Sequence, residues 1–526
     1  MFLKILILNI IFVMLALHET TCNPCALRKS EYGYVCVCNS TYCDFLEMVE
    51  PHQPSDYTMV STSKGGLMFS VSKGKFSESS KICCNKPRSL IELFQFAAVR
   101  KVSKLNVDRS IEYQQVSGFG GALTTAVSLN LNRLSGDSKN ALYRSYFSKD
   151  LGIGYTFLRI SIGGCDFDLK PWAYNEKPEN DVHLSNFTRL NQIDENKILQ
   201  IKKIEEVSNN HDLKLMGSAW SPPPWMKSNK QWSGSSYLLR EYYQSWADYH
   251  VRFIELLSNQ NVSLYSISTG NEPGNGNIGA LFVRFMSLGW TALTQGLWVG
   301  KYLGPTLRKS KFKDIKLFSP DDQRYMIPIW LRKMDRAYPG STSFLDGIAF
   351  HWYWDDIFPP SLLDEAHTFY ANKLLFNTES CIGDKPWEAS GPELGSWNRA
   401  EKYIRSFIQD FQHWVNAWID WNLLLDEKGG PNYVNNFVDA PVIVNTTGGN
   451  EFYKQPIFYA IGHFSKFVFP KSIRISSNCE NADLESVAFR RPDNRIVVVA
   501  LNKGSQSTDL EVMDSFNGNF FVTIPA

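Results

Sequence analysis

The sequence predicts an α/β fold, a (β/α)8 barrel carrying an all-β sandwich. Two patterns point there. Eight apolar runs recur through the middle of the chain, most of them separated by longer stretches of helical periodicity. Strands alternating with helices imply right-handed crossovers and a parallel sheet, and eight such units over about 300 residues suit a closed barrel. After about residue 470 the pattern changes to short alternating pieces, as in Arg495-Ile-Val-Val-Val-Ala-Leu501-Asn, which reads as antiparallel sheet. At 526 residues the chain exceeds one ordinary core, in line with two or three domains.

Taken in order, the chain opens with Lys4, an apolar stretch Ile5–Leu17 broken only by Asn9, and the polar run His18-Glu-Thr-Thr-Cys22. This predicts a secretory signal peptide over residues 1–22; the stretch is short for a membrane span. Cys25, Cys36, Cys38 and Cys43 then crowd together. No histidine lies between them to favour zinc, and the secretory route favours disulfides, which leaves three possible pairings for two bridges. Cys83 and Cys84 are adjacent and poorly placed to bond each other, while Cys165, Cys381 and Cys479 are expected as free, buried thiols. Sequons at Asn39, Asn186, Asn261 and Asn445 fit the same route and mark candidate glycosylation sites. Residues 51–110 carry short strand-like pieces such as Gly66-Leu-Met-Phe-Ser-Val71, expected to join the C-terminal pieces in one sandwich.

The barrel runs are Val116–Leu123, Tyr155–Ile162, Leu213–Trp220, Leu264–Thr269, Ile315–Ser319, Gly347–Tyr353, Lys373–Thr378 and Asn416–Leu424. Ile198–Val207, Leu238–Leu257 and Ala400–Trp414 read as amphipathic helices between them. A net charge of +1 carries no electrostatic footprint for nucleic acid. With 14% aromatic residues, including 15 Trp, there are many rings that can stack on a sugar, although core packing uses them too.

In such a barrel the loops after the strands form the active face. The runs end on Gly164-Cys165-Asp166, Ala219-Trp220-Ser221, Asn271-Glu272, His351-Trp352-Tyr353, Glu379 and Asp420-Trp421-Asn422, with Asp321, Asp322 and Arg324 after the fifth. Glu272 and Glu379 come from the fourth and seventh runs. Two carboxyls about 5–5.5 Å apart are the equipment of a retaining glycosidase: one protonates the leaving oxygen, the other attacks the anomeric carbon. Mutual repulsion keeps one protonated and the roles distinct. Glu272 is assigned as acid/base and Glu379 as nucleophile. Asn271 is expected to donate to a sugar 2-hydroxyl, Asp166 to accept from other hydroxyls, and Trp220 and Trp421 to stack on the ring. His351 is expected to bond Asp166 or a glutamate, and Tyr353 to donate to Glu379. Arg159, inside a strand, needs a carboxylate partner such as Glu379, and Arg324 is expected to serve similarly. No cluster has metal-ligand spacing, so neither metal nor cofactor is expected. Gly118-Phe-Gly-Gly121 lacks the pattern of a phosphate loop, and no nucleophile elbow is present.

Gly118-Phe-Gly-Gly-Ala122, Cys165-Asp-Phe167, Asn271-Glu-Pro273, Asp321-Asp-Gln-Arg324, His351-Trp-Tyr353, Thr378-Glu-Ser-Cys381, Asp420-Trp-Asn422, Gly429-Gly-Pro-Asn432 and Asn435-Asn-Phe-Val-Asp439 stand in order along nearly the whole mature chain. Together they resemble glycoside hydrolase family thirty, and within it the lysosomal acid β-glucosidases that act on glucosylceramide. The resemblance implies hydrolysis of glucosylceramide to glucose and ceramide by double displacement through a glycosyl-enzyme. Another β-glucoside or β-xyloside as substrate, or an inactive sugar- or lipid-binding homologue, is the alternative. It implies that Asp166, Trp220, Asn271, Trp421 and Asn436 hold glucose and that His351 and Tyr353 line the site. It also implies the bridges Cys25–Cys36 and Cys38–Cys43, a saposin-type activator, an anionic membrane surface and a lysosomal location, with secretion as the other outcome. The domain plan it implies is a small antiparallel disulfide-bearing sheet (23–50 and 423–455), a β-sandwich (51–110 and 470–526) and the catalytic barrel (111–422 and 456–469). Gly274-Asn-Gly-Asn-Ile278 departs from the family's longer hydrophobic loop, which borders the lipid entrance.

Overall fold

The computed structural model describes residues 23–76, 102–448 and 450–526. The expected signal peptide and the Cys83-Cys84 pair lie outside the described residues. Eight parallel strands close into a barrel in chain order. They are β1 (Gly118–Ala122), β2 (Phe157–Ser161), β3 (Lys214–Ser218), β4 (Leu264–Ser268), β5 (Lys316–Gln323), β6 (Gly347–His351), β7 (Leu374–Glu379) and β8 (Ala417–Asn422). These strands are covered by helices outside and by side chains inside, so they read as unbroken apolar runs. Phe157, Met216, Phe318, Ala349, Phe376, Ala417 and Ile419 fill the interior. Phe376 meets Phe318 at 4.6 Å and the edge of Phe157 at 5.5 Å between ring centres. The glycines of β1 are there for approach: a Cβ on Gly120 would sit 2.2 Å from the Phe157 carbonyl oxygen. That accounts for Gly118-Phe-Gly-Gly121 without any ligand.

The helices are Gln192–Ser208, Tyr243–Asn259 and Trp397–Gln412, among others. The first is capped by Asn191, whose side chain accepts from the Asp194 N–H, and stops at Asn209 in the left-handed region. Leu238 to Tyr242, expected to be helical, instead form a bridge and a short 3-10 turn before the second helix begins. No described helix is long and apolar enough to cross a membrane.

A six-stranded sheet joins Ser103–Gln115 to the C-terminal strands around Leu105, Val107, Ile475, Leu510 and Val512. A separate hairpin, Asp56–Ser61 with Ser70–Lys75, packs on it through Tyr57, stacked 4.3 Å from Phe520. The expected strand at Gly66–Val71 starts only at Ser70, because Gly66 and Phe69 both take positive φ (98° and 52°) and turn the chain. The small sheet runs Leu27–Lys29, Tyr34–Cys38, Phe452–Lys454, Val442–Val444, Leu424–Asp426. It is not wholly antiparallel, since its last two strands pair in parallel. Disulfides Cys25–Cys36 and Cys38–Cys43 hold its N-terminal edge. Cys165 and Cys381 are buried free thiols, whereas Cys479, on the sandwich, is only half-buried.

Candidate active site

The centre of the site is a buried cation. Arg159, in β2, is completely buried, and a lone guanidinium there is costly unless paired. It bonds Glu379 Oε2, Asp321 Oδ2 (3.0 Å) and Asn271 Oδ1 (2.8 Å). The rings of Trp220 and Trp421 flank it at 5.1 and 5.5 Å and stack on each other with centroids 5.4 Å apart.

Asp321 is the second anchor. The register of β5 shifts between Pro320 and Asp322, and Asp321 sits at φ +64°. Such a bulge re-aims a side chain. The carboxylate accepts from Arg159, Ser218 (2.7 Å), Thr378 (2.6 Å) and His351 Nε2 (3.2 Å). Burial alone would raise its pKa, but the Arg159 charge and these donors hold it well below the carboxylate range. His351 bonds Glu272 Oε1 through Nδ1 (3.1 Å) and Asp321 through Nε2. Burial opposes its charge, yet Glu379, Asp321 and Glu272 push it up to about 10. With a carboxyl oxygen facing each ring nitrogen, the geometry suits an imidazolium that donates from both.

Glu272 sits at φ +44°, a left-handed conformation that costs a non-glycine residue unless its surroundings enforce it. Its N–H donates to the Asp321 carbonyl (2.9 Å). Its carboxyl accepts from Gln323 Nε2 (2.9 Å), Asn275 Nδ2 (2.5 Å) and His351. Glu379, ending β7, accepts from the Tyr353 hydroxyl (2.7 Å) and Arg159. Burial pushes the Glu379 carboxyl up, and the charges of His351 and Arg159 pull against it. One carboxylate oxygen of each glutamate and a ring nitrogen of His351 lie within 4.8 Å of one another. That triangle has the size of a metal site, and each of its members is already engaged by protein groups: His351 by Asp321, Glu379 by Arg159 and Tyr353, and Glu272 by Gln323 and Asn275.

Asp166 lies on the same face, hydrogen-bonded to Asn436, with its carboxyl raised well above the usual range by burial and by the Glu379 charge. The edge of Phe167 meets Trp421 at 5.9 Å.

Matches to known proteins fit this geometry. Residues 116–468 match the glycosyl hydrolase family 30 TIM-barrel domain, and residues 471–526 match the β-sandwich domain of the same family. The chain belongs to glycoside hydrolase family 30. It is 36% identical over 500 residues to mouse (Mus musculus) lysosomal acid glucosylceramidase, covering 93% of this chain and 92% of the relative. Among solved structures, SrfJ from Salmonella typhimurium superposes with a TM-score of 0.77 at 25% identity, covering 89% of this chain and 97% of SrfJ. The endo-β1,6-glucanase BT3312 shares the fold, with a TM-score of 0.71 at 23% identity over 80% of this chain and 91% of its own.

Within this family 30 barrel, Glu272, Glu379, Asn271, Trp220, Trp421, His351, Tyr353, Arg159, Asp166 and Asn436 converge. Arg324 does not join them. It is buried against Asp355 (3.0 Å) and Asp410 (3.7 Å) and donates to the Asp355 and Phe358 carbonyls, so it secures the loop after β6 and not Glu379. His351 bonds Glu272 and Asp321, not Asp166. Asn271 uses its side-chain oxygen on Arg159. Sequence reasoning assigned no role to Asp321, Gln323 or Asn275. The Asp321-Asp322 pair ending a strand was the one signal available. Of the sequons, Asn186 and Asn261 are exposed, while Asn39 and Asn445 are half-buried. The Asn445 amide nitrogen donates to the Tyr453 hydroxyl (2.8 Å).

Proposed function

We propose that this chain is a retaining β-glucosidase that cleaves glucosylceramide, with Glu272 as acid/base and Glu379 as nucleophile. The separation of the two carboxyls carries the reading. Oxygens within 4.8 Å leave no room for the intervening water of an inverting enzyme, whose carboxyls stand about 6.5–9.5 Å apart. The unequal partners of the two acids support the roles. Glu379 faces a formal cation and a phenol, groups that favour the ionised form an attacking carboxylate needs. Glu272 accepts from two neutral amides and from His351, whose charge it shares with Asp321, and the Gln323 carbonyl oxygen is buried without a partner among the described residues. Rotation of that amide would let it accept from a protonated Glu272. Glu379 attacks the anomeric carbon as Glu272 gives its proton to the leaving oxygen. Glu272 then takes a proton from the water that releases glucose. Asp166, Asn271, Asn436, Trp220 and Trp421 hold the sugar.

A lipid aglycone is supported by the loop after Glu272, where Leu281 and Phe282 are 77% and 80% exposed beside the half-exposed Ile278. Apolar side chains presented this openly suit a lipid surface, and the mouse relative's name points to the same substrate. A lysosomal location, glycosylation, an anionic-lipid surface and a saposin-type activator belong to the same proposal. The test is hydrolysis of fluorescent glucosylceramide at acidic pH, with and without anionic vesicles. Turnover stimulated by the vesicles is expected. Cleavage of β-1,6-glucan with none of glucosylceramide would overturn the substrate assignment.

A further inference from the structure

Three hydrogen bonds stitch the turn carrying Glu272 to the end of β5. The Glu272 N–H donates to the Asp321 carbonyl (2.9 Å), Gln323 Nε2 to Glu272 Oε1 (2.9 Å), and the Gly274 N–H to Asp322 Oδ2 (2.7 Å). The last of these belongs to a side chain with no part in the scheme above. Asp322 is buried, its other oxygen accepts only the Gln323 N–H (2.7 Å), and no lysine or arginine pairs with it among the described residues. A buried carboxyl held by two backbone N–H groups and no cation, beside a second carboxyl, is an expensive arrangement to keep in a core. It needs a reason.

We propose that Asp322 is a positioning residue for Glu272: it ties down the turn that presents the glutamate, and the two neighbouring carboxyls hold one proton between them, so that Glu272 meets the leaving oxygen protonated. This rests on the acid/base reading of Glu272. Burial and the Glu272 charge push the Asp322 carboxyl up to about 7. The other titratable groups facing the pair are His351 from β6 and Tyr325 from the turn after β5; Glu379, Asp166, Tyr353 and Asp384 act on Glu272. His351 is the one cation among them, and it is shared with Asp321.

The test uses Asp322→Asn and Asp322→Ser in the full chain. Both retain an oxygen to accept from Gly274 and both remove the charge. With the like charge gone, the acid gives up its proton at lower pH. For an alkyl β-glucoside, which needs protonation, the alkaline limb of kcat/KM should move down by about one pH unit or more. For a dinitrophenyl β-glucoside, which needs none, the profile should stay in place. A fluorinated β-glucoside inactivator, run in parallel on wild type and variants, separates the two claims. Absence of trapping on wild-type Glu379 would sink the retaining assignment itself. Normal trapping with an unmoved alkaline limb would overturn the role of Asp322 alone. Loss of trapping in both variants would also overturn it, by showing that the carboxylate assembles the site without tuning its acid.

Discussion

Replacing Tyr353 by Phe deletes one hydroxyl and keeps the ring that Lys385 covers at 5.0 Å. That hydroxyl is 2.7 Å from Glu379 Oε1 and 3.4 Å from Cys381 Sγ, so the loss falls on the proposed nucleophile and on one weak thiol contact. A hydrogen bond to a charged acceptor contributes about 1.5–3 kcal/mol. If the bond is strongest to the ionised carboxylate, its removal leaves about tenfold to a hundredfold less of Glu379 ionised on the acid side of its titration, and glycosylation slows there by the same factor. The sign of the pH effect follows. Burial already pushes Glu379 up and Tyr353 pulls it down, so without Tyr353 the carboxyl ionises at higher pH and the acid limb of kcat/KM shifts upward. The assay is the second-order rate of trapping by a fluorinated β-glucoside across pH, because it isolates attack from glycosyl-enzyme hydrolysis. A Tyr353→Phe protein trapped at the wild-type rate, with an unmoved acid limb, would refute the claim that this hydroxyl sustains the nucleophile.

Glu272→Gln should lose most activity on alkyl glucosides but still form the glycosyl-enzyme from a dinitrophenyl glucoside, seen as a burst of phenolate; equal losses on both substrates would count against an acid role. Stability should fall as pH rises from about 4 to 7. Asp322 (about 7), Asp384 (about 6) and Asp410 (about 6) are raised by burial, so the native chain binds more protons there than the unfolded one. His351, raised to about 10, extends the decline above its unfolded value, while His250 and His463, lowered to about 4, oppose it below that value. Calorimetry should give a higher Tm near pH 5 than near neutrality, and a flat or rising profile would show that the carboxyls are not buried in this way. Leu281→Asp with Phe282→Asp should cut vesicle glucosylceramide turnover at least tenfold and spare a water-soluble glucoside; equal effects on the two would show that the loop serves the glycone site.

How much of this was legible in the sequence depended on how local each cause was. Parallel strands buried on both faces announce themselves as apolar runs, so β2, β4 and β7 could be placed, and with them Arg159, Glu272 and Glu379 at one end of the barrel. Phe69 looked like strand because its side chain is apolar; its positive φ is a turn decision that composition does not carry. Asp321 was passed over because a register shift inside β5, invisible in the residue pattern, turns it toward Arg159. Arg324 was given the wrong neighbours because a buried guanidinium must pair, but the choice between Glu379 and Asp355 is made by how the loop after β6 folds back. Gln323 reaches Glu272 only because the end of β5 meets the turn after β4, a long-range fact with no period to read, whereas Asn275 reaches it within that same turn, three residues on.

The proposed chemistry requires Glu272 and Glu379 to meet across one anomeric centre as acid/base and nucleophile. Intact protein incubated with a fluorinated β-glucoside inactivator, then digested and sequenced by mass spectrometry, tests it most directly. A single sugar ester on Glu379, absent in Glu379→Gln, is the expected outcome. A label on Glu272 or Asp166, or turnover of the inactivator with no covalent adduct, would contradict it.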